Sequence, residues 1–444
     1  MKKLILLFGS VMLILLCPSV YAADTEVESL KQELNSLKNQ VEELKAILKQ
    51  QQQMQEEERK RPEKAAAAKE EKKESPIISS FKFKPYGYIK LDAAYDDSRT
   101  NYGNFVLYVP NESQHKNDNE YNMTAKQTRL GLDIMAPDTY DWQAWGRIEM
   151  DFYGDGATHE NKASVLLRHA FLELKKGNLS LLAGQTSDLI APLNIDTLNY
   201  TVGWSVGNIG YRRPQLRATY TYPFSKTTKI ISALALARTT GTVNEDLDLD
   251  LKNDGEDAGF PTVQGRLGVA TKLLTSNPTV FGISGHYGEE EIDWEVKPAT
   301  TRNRQDRVKS WSLVADGDLP LTPKLSVKGE FFTGYNLDDY FGGILQGVNP
   351  ATRDVIKSMG GWMQLSYKHN DKWNYRLGFG IDDPEEKDLS KGMRSRNSFY
   401  FGNIVYSLIP PVDIGLEYSY WETDHAGLST GTDNRIQTSI IYKW

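Results

Sequence analysis

From Phe81 to Trp444 the sequence repeats one device: short segments in which apolar and polar residues alternate, joined by connections that are alternately brief and long. In "GYRRPQLRATYTYP" (210–223), Arg213, Gln215, Arg217, Thr219 and Thr221 fall on one side, and Leu216, Ala218, Tyr220 and Tyr222 on the other. That two-residue period belongs to a strand with one greasy and one wet face. About sixteen such segments follow one another, from "FKPYGYIKLDAAYD" to "NRIQTSIIYKW". Links such as "APDT", "KKGN", "FSKT", "TSNP", "HNDK" and "IPP" are turn-like. Between them lie the long connections 97–123, 154–162, 185–213, 239–261, 288–307, 337–359, 383–393 and 424–433. A soluble sandwich has no reason for this asymmetry, whereas a membrane barrel has short periplasmic turns and longer outer loops. The expectation is an all-β, transmembrane antiparallel β-barrel of about 16 strands over residues 81–444, both ends of the barrel domain lying on the periplasmic side.

Aromatic residues agree with that orientation. Tyr140, Trp142, Tyr220, Tyr222, Trp373 and Tyr375 flank short turns, where an interfacial belt lies. The last strand alternates Ile436, Thr438, Ile440, Tyr442 and Trp444 with Arg435, Gln437, Ser439 and Lys443. Past the first residues, no run approaches the ~20 apolar residues of a membrane helix, but barrel strands give a much weaker hydropathy signal.

The start, "MKKLILLFGSVMLILLCPSVYAADTE", has the basic opening, apolar run and small residues of a secretory signal spanning 1–22. Its Cys17 is the only cysteine, so the mature protein is expected to have neither disulfide nor thiolate chemistry. Val27, Leu30, Leu34, Leu37, Val41, Leu44 and Leu48 are spaced by three and four, an unbroken heptad that reads as a self-associating coiled-coil stalk over 24–55. Residues 56–80, charged and containing Pro62 and Pro76, read as a linker. The heptad alone does not choose dimer or trimer.

Barrels of ~16 to 18 strands leave an aqueous lumen. The wet faces then line it, giving Arg129, Arg147, Arg168, Arg213, Gln215 and Arg217 as candidate pore-lining residues. The face of Arg168 is ambiguous, because both sides of "VLLRHAFLEL" carry apolar residues. Arg147 with Glu149 and Asp151 also reads as a wall network. Arg213 and Arg217 have no acid on their own strand, so their charges are expected to stay available to solute. The connection "QTSDLIAPLNIDTLNYTVGWSVGNIGYRR" is too apolar for an outer loop in water. Folding it into the lumen would bury Leu189, Ile190, Leu193, Ile195, Leu198 and Trp204, with Gln185, Thr186 and Asp188 opening a constriction loop. Fixed cations in a narrow passage attract anions, and arginine can hold a carboxylate with two parallel bonds.

The segments "LLRHAFLEL", "LLAGQTSDL", "GYRRPQLR", "GEFFTGYNL", "GGWMQLSY" and the last two strands resemble the DcaP-like trimeric porins of Gram-negative outer membranes, and the heptad stalk resembles that family's periplasmic coil. The resemblance implies a sixteen-stranded barrel in outer-membrane lipid, a homotrimer, a periplasmic coil, and passive uptake of small anionic solutes, dicarboxylates among them. Where the family more usually carries Trp and Ser after "GQT", this chain reads "SDL".

A second reading is structural, with the stalk bridging toward peptidoglycan. An enzyme is not expected: the six histidines are scattered, with no partnered serine and no metal-ligand spacing. The acidic run 244–259 reads as a solvated outer loop. No catalytic residue, metal, cofactor or nucleic-acid partner is assigned.

Overall fold

The structure, a computed structural model, describes residues 80–113, 118–154, 160–239, 258–294 and 304–444, with Lys45 and Lys49. The expected signal segment and nearly all of the stalk, the linker and the acidic run lie outside the described residues.

Strand β1 (Lys82–Asp96) is where the sheet closes on itself. On one edge it pairs with the last strand, β17 (Gly431–Lys443), from Tyr88 opposite Lys443 to Asp96 opposite Arg435. On its other edge lie β2 (Glu120–Thr124) and β3 (Arg129–Met135), two halves of one stave. Ala125–Thr128 leave the ladder between them. The sequence places the start of this stave at Ala125 and Glu120–Met123 in a loop, because five residues beside a break carry too short a pattern.

The chain then winds through β4 (Gln143–Asp151), β5 (Leu166–Lys176), β6 (Leu179–Ser187), β7 (Arg212–Pro223) and β8 (Thr228–Ala237). It continues through β9 (Thr262–Thr271), β10 (Thr279–Trp294), β11 (Arg304–Pro320) and β12 (Leu325–Tyr335). The circuit ends with β13 (Lys357–Lys368), β14 (Trp373–Pro384), β15 (Arg394–Ile409) and β16 (Val412–His425). Each stave pairs antiparallel with the next, making a closed barrel of sixteen. Closure leaves no unpaired edge, a condition for any sheet in lipid.

Alternation sorts the side chains as expected. Leu216, Tyr220 and Tyr222 of β7 are 63%, 47% and 52% exposed on the outside, while Arg213 and Gln215 are buried within. The inside is not uniformly polar, however. Trp362, Phe399, Phe401 and Trp421 point inward from β13, β15 and β16 and receive Val106 and Val109 of the 97–113 loop and Ile195 and Val206 of the 188–211 loop. A second patch joins Val314 and Phe332 of the wall to Ile190, Ile209, Leu337 and Tyr340. Fully burying such a side chain contributes roughly 1.5–3 kcal/mol, so these patches hold the loops 97–113, 188–211 and 336–356 inside the barrel.

Glycine permits the close approach. A Cβ on Gly380 of β14 would stand 2.1 Å from the Val206 carbonyl oxygen, and one on Gly415 of β16 would stand 2.8 Å from a Leu198 methyl. The loop therefore lies flat against a wall stripped of side chains at those points.

Candidate functional site

The 188–211 loop crosses the lumen between two sets of fixed points. At its base, Asp188 pairs with Arg213 Nε at 2.9 Å and accepts from the Tyr211 backbone N–H at 2.9 Å and from Gln264 Nε2 at 2.7 Å. Gln264 Oε1 in turn accepts the Leu189 N–H at 2.8 Å. Gln215 Nε2 donates to the Thr186 and Ser187 carbonyls at 3.1 and 3.2 Å. On the far wall, the N–H groups of Leu193, Asp196 and Leu198 donate to Glu330, Gln364 and Glu417 at 2.8, 2.7 and 2.7 Å. The Leu198 carbonyl accepts from Lys90 Nζ of β1 and Gln437 Nε2 of β17. The loop thus spans from β6–β7 to the closing strands, satisfying backbone groups that a dry lumen would leave unpaired.

Beside it lies a cavity of 540 Å³, lined by Arg129, Glu149, Arg168 and His169 on the β3–β5 wall, by the loop with Arg212, and by Arg376, Asp413 and Lys443. A bulge orients the first group. Glu149 faces His169 and Met150 faces Leu167, so Arg168 is the extra residue in β5. The inserted residue shifts the alternation, and Arg168 and His169 both turn inward; both line the cavity. No periodicity could reveal this, and it resolves the ambiguous face of Arg168.

Most charges here are matched. Arg168 bonds Glu149 at 2.8 Å and Asp151 at 2.7 Å, and Arg129 stands 3.5 Å from the same Glu149. Arg147 grips Asp133 with two bonds, of 2.7 and 3.1 Å, and lies over the Tyr86 ring, whose hydroxyl donates to Glu149. Asp196 of the loop meets Lys328 at 2.9 Å and Arg376 at 3.6 Å, and Lys443 pairs with Asp413. Partial desolvation pushes the Asp196 carboxyl up, but Lys328, the Gln364 amide and Arg376 outweigh it and hold the group below the ordinary carboxylate range.

Arg212 differs. It is 7% exposed, its Nε and Nη2 have no hydrogen-bond partner, and no described acid pairs with it. It lies 4.4 Å over the Tyr211 ring and 5.7 Å from that of Trp204. These rings stack on toward Phe341, with Tyr200, Tyr153 and Phe105 adjoining.

A profile described as DcaP outer membrane protein matches residues 17–245, more than half of the sequence. The chain belongs to the DcaP outer-membrane protein family. Among solved structures it is similar to the outer-membrane channel DcaP of Acinetobacter baumannii, with a TM-score of 0.64 and 19% identity over 83% of this chain and 98% of that one. An anion-selective porin from Comamonas acidovorans aligns at 10% identity and TM-score 0.52, over 82% of this chain and all of that one. OmpF of Salmonella typhi, solved with daunomycin, aligns at 11% and 0.52, over 83% of this chain and 100% of its own. None of the curated proteins matches the sequence.

The expected site residues divide. Arg129 and Arg168 line the cavity. Arg147 is half-buried and held by Asp133. Arg217 faces inward, bonded to Gln215 Oε1 and the Ser187 carbonyl, with no described acid in ion-pairing reach. Arg213 departs from the expectation of an available charge: it is 0% exposed, and the acid its strand lacks comes from the loop. Gln215, Thr186 and Asp188 sit together at the base of the 188–211 loop. Gln185 is corrected to the outer face, opposite the exposed Pro214 and bonded to the Leu167 carbonyl, because β6 still alternates there. Arg212 was missed because strict alternation sends it outward. The one available signal was the Arg-Arg pair at a loop–strand junction, where the two-residue period has not yet begun.

Proposed function

We propose that the chain forms a water-filled diffusion channel that favours small anionic solutes such as carboxylates and dicarboxylates. One observation carries this reading: in a passage where each lining acid is answered by an arginine or lysine, Arg212 is a buried cation with no anionic partner among the described residues. Matched charges leave little field, so the unmatched guanidinium sets its sign. Two unit charges ~4 Å apart interact by about 4 kcal/mol in a protein-lined site against about 1 kcal/mol in bulk water. Arg217 adds to the same sign, and Arg129 shares its acid with Arg168.

The test is the reversal potential of purified channels in planar bilayers under a potassium chloride gradient. The expected result is anion preference in the native protein and a reduced preference in Arg212→Ala. A native preference for cations would refute the proposal. The heptad supports a further proposal: three chains assemble through residues 24–55 on the periplasmic side. Native mass measurement with and without those residues checks it, with loss of the trimer expected on deletion.

A further inference from the structure

At the outer ends of β10 and β12, behind the stack of Arg213 on Tyr340, three buried side-chain oxygen atoms lack a donor. Glu290 of β10 is 5% exposed, Asn336, which follows β12, is 0%, and Asp338 is 2%. Asn336 Nδ2 donates to Glu290 Oε2 at 2.7 Å. Asn336 Oδ1, Asp338 Oδ1 and Glu290 Oε1 have no hydrogen-bond partner. Two of them converge on one point: a Cβ on Gly347 would stand 2.0 Å from Asn336 Oδ1 and 2.2 Å from Asp338 Oδ1. Because Gly347 has no side chain, both oxygens can close against its backbone, side by side.

No described cation answers these acids. The neighbouring guanidinium, Arg213, is engaged by Asp188 at 2.9 Å and by the Asp339 carbonyl at 3.1 Å. His286 is held between Ser310 and Ser312 and stacks on Tyr340. Buried carboxylates are ordinarily paired or bound to a metal, because desolvation otherwise penalises the charge heavily.

We propose that Asn336, Asp338 and Glu290 bind a calcium ion that ties the 336–356 loop to the barrel wall. Hard carboxylate and amide oxygens are the ligands calcium takes, in irregular sets of six to eight at ~2.3–2.6 Å, with water completing the shell. Magnesium requires near-ideal octahedral geometry and gives up its water reluctantly. Among the described residues no three His, Cys, Asp or Glu side chains form a metal cluster by themselves; here the Asn336 amide supplies the third oxygen. The site is independent of the channel's selectivity. It bears on the constriction because Asp339 and Tyr340, next along the chain, hold Arg213 and through it Asp188 at the loop base.

The experiment uses full-length protein folded into detergent without lipopolysaccharide, stripped with a chelator and titrated with calcium by calorimetry. Terbium luminescence excited through tyrosine gives a second readout, since Tyr340 lies two residues from Asp338. The expected result is one saturable site per chain, weakened roughly tenfold or more by Asp338→Asn and by Asn336→Ala, and unchanged in Glu385→Gln. Circular dichroism checks that each variant is a folded barrel; should Asp338→Asn not fold, Asn336→Ala decides the matter alone. No saturable binding by the native protein, or native affinity in folded Asn336→Ala and Asp338→Asn, would overturn the proposal.

Discussion

Asp188 and Arg213 meet at 2.9 Å with side chains 1% and 0% exposed, so the acid that opens the 188–211 loop neutralises an arginine of the barrel wall. The pair is a latch. With the Tyr340 ring 4.0 Å from the guanidinium, it fastens two inward-folded loops to β7.

Breaking a buried pair by removing one partner costs about 3–5 kcal/mol, because the survivor stays buried and uncompensated. Arg213→Met should therefore lower the thermal unfolding midpoint in detergent markedly and make the open-channel current noisier. Its reversal potential should move less than that of Arg212→Ala. A midpoint equal to the native one would show that the latch contributes nothing.

Gly380→Val should lift the loop off the wall, since its Cβ alone would come to 2.1 Å from the Val206 carbonyl oxygen. The expected readouts are an altered single-channel conductance and new protease cleavage within residues 188–211. Native conductance with native protease resistance would contradict the close seat.

Glu149 accepts from Tyr86 and Arg168 and stands beside Arg129. Glu149→Gln keeps the shape and removes the charge, freeing Arg129 for solute and leaving Arg168 with Asp151 alone. Anion preference should increase, opposite in direction to Arg212→Ala. A shift toward cations would mean that these arginines do not set the field.

One of the carboxylates that attach the loop is Asp196, whose folded value lies below its ordinary 3.8. A depressed carboxylate contributes stability that is complete above the unfolded value and is lost as pH falls through the folded one. The difference in unfolding midpoint between native protein and Asp196→Asn should thus stay constant from about pH 7 to 5 and shrink only below about pH 4. A difference that vanishes near pH 6 would assign the attachment to another group.

Much of the barrel was legible in the sequence because alternation is local: each residue's side of the sheet is set by its neighbours two positions away. Leu216 and Gln215 declare opposite faces without reference to anything distant. Local breaks in the pattern were not legible. The Ala125–Thr128 interruption and the extra residue Arg168 each shift the parity of the neighbouring strand residues, and neither leaves a mark in composition. The apolar 188–211 loop was legible as a lumen element because water would not tolerate its exposure. Phe399 and Phe401, which receive it, were not, because on a barrel strand greasy residues ordinarily face lipid.

By itself, then, the sequence determined a membrane-type barrel, the alternation of its short and long connections and the loop that enters it, all properties of short windows. Tertiary structure decided which cations are spent and which remain. Arg435 meets Asp96 at 2.8 Å only because the first and last strands close the circle, and Arg213 meets Asp188 only because a loop folds back across the lumen. Charge availability depends on distance in space, and strand register, one bulge and inward-folded loops set those distances between residues far apart in the chain.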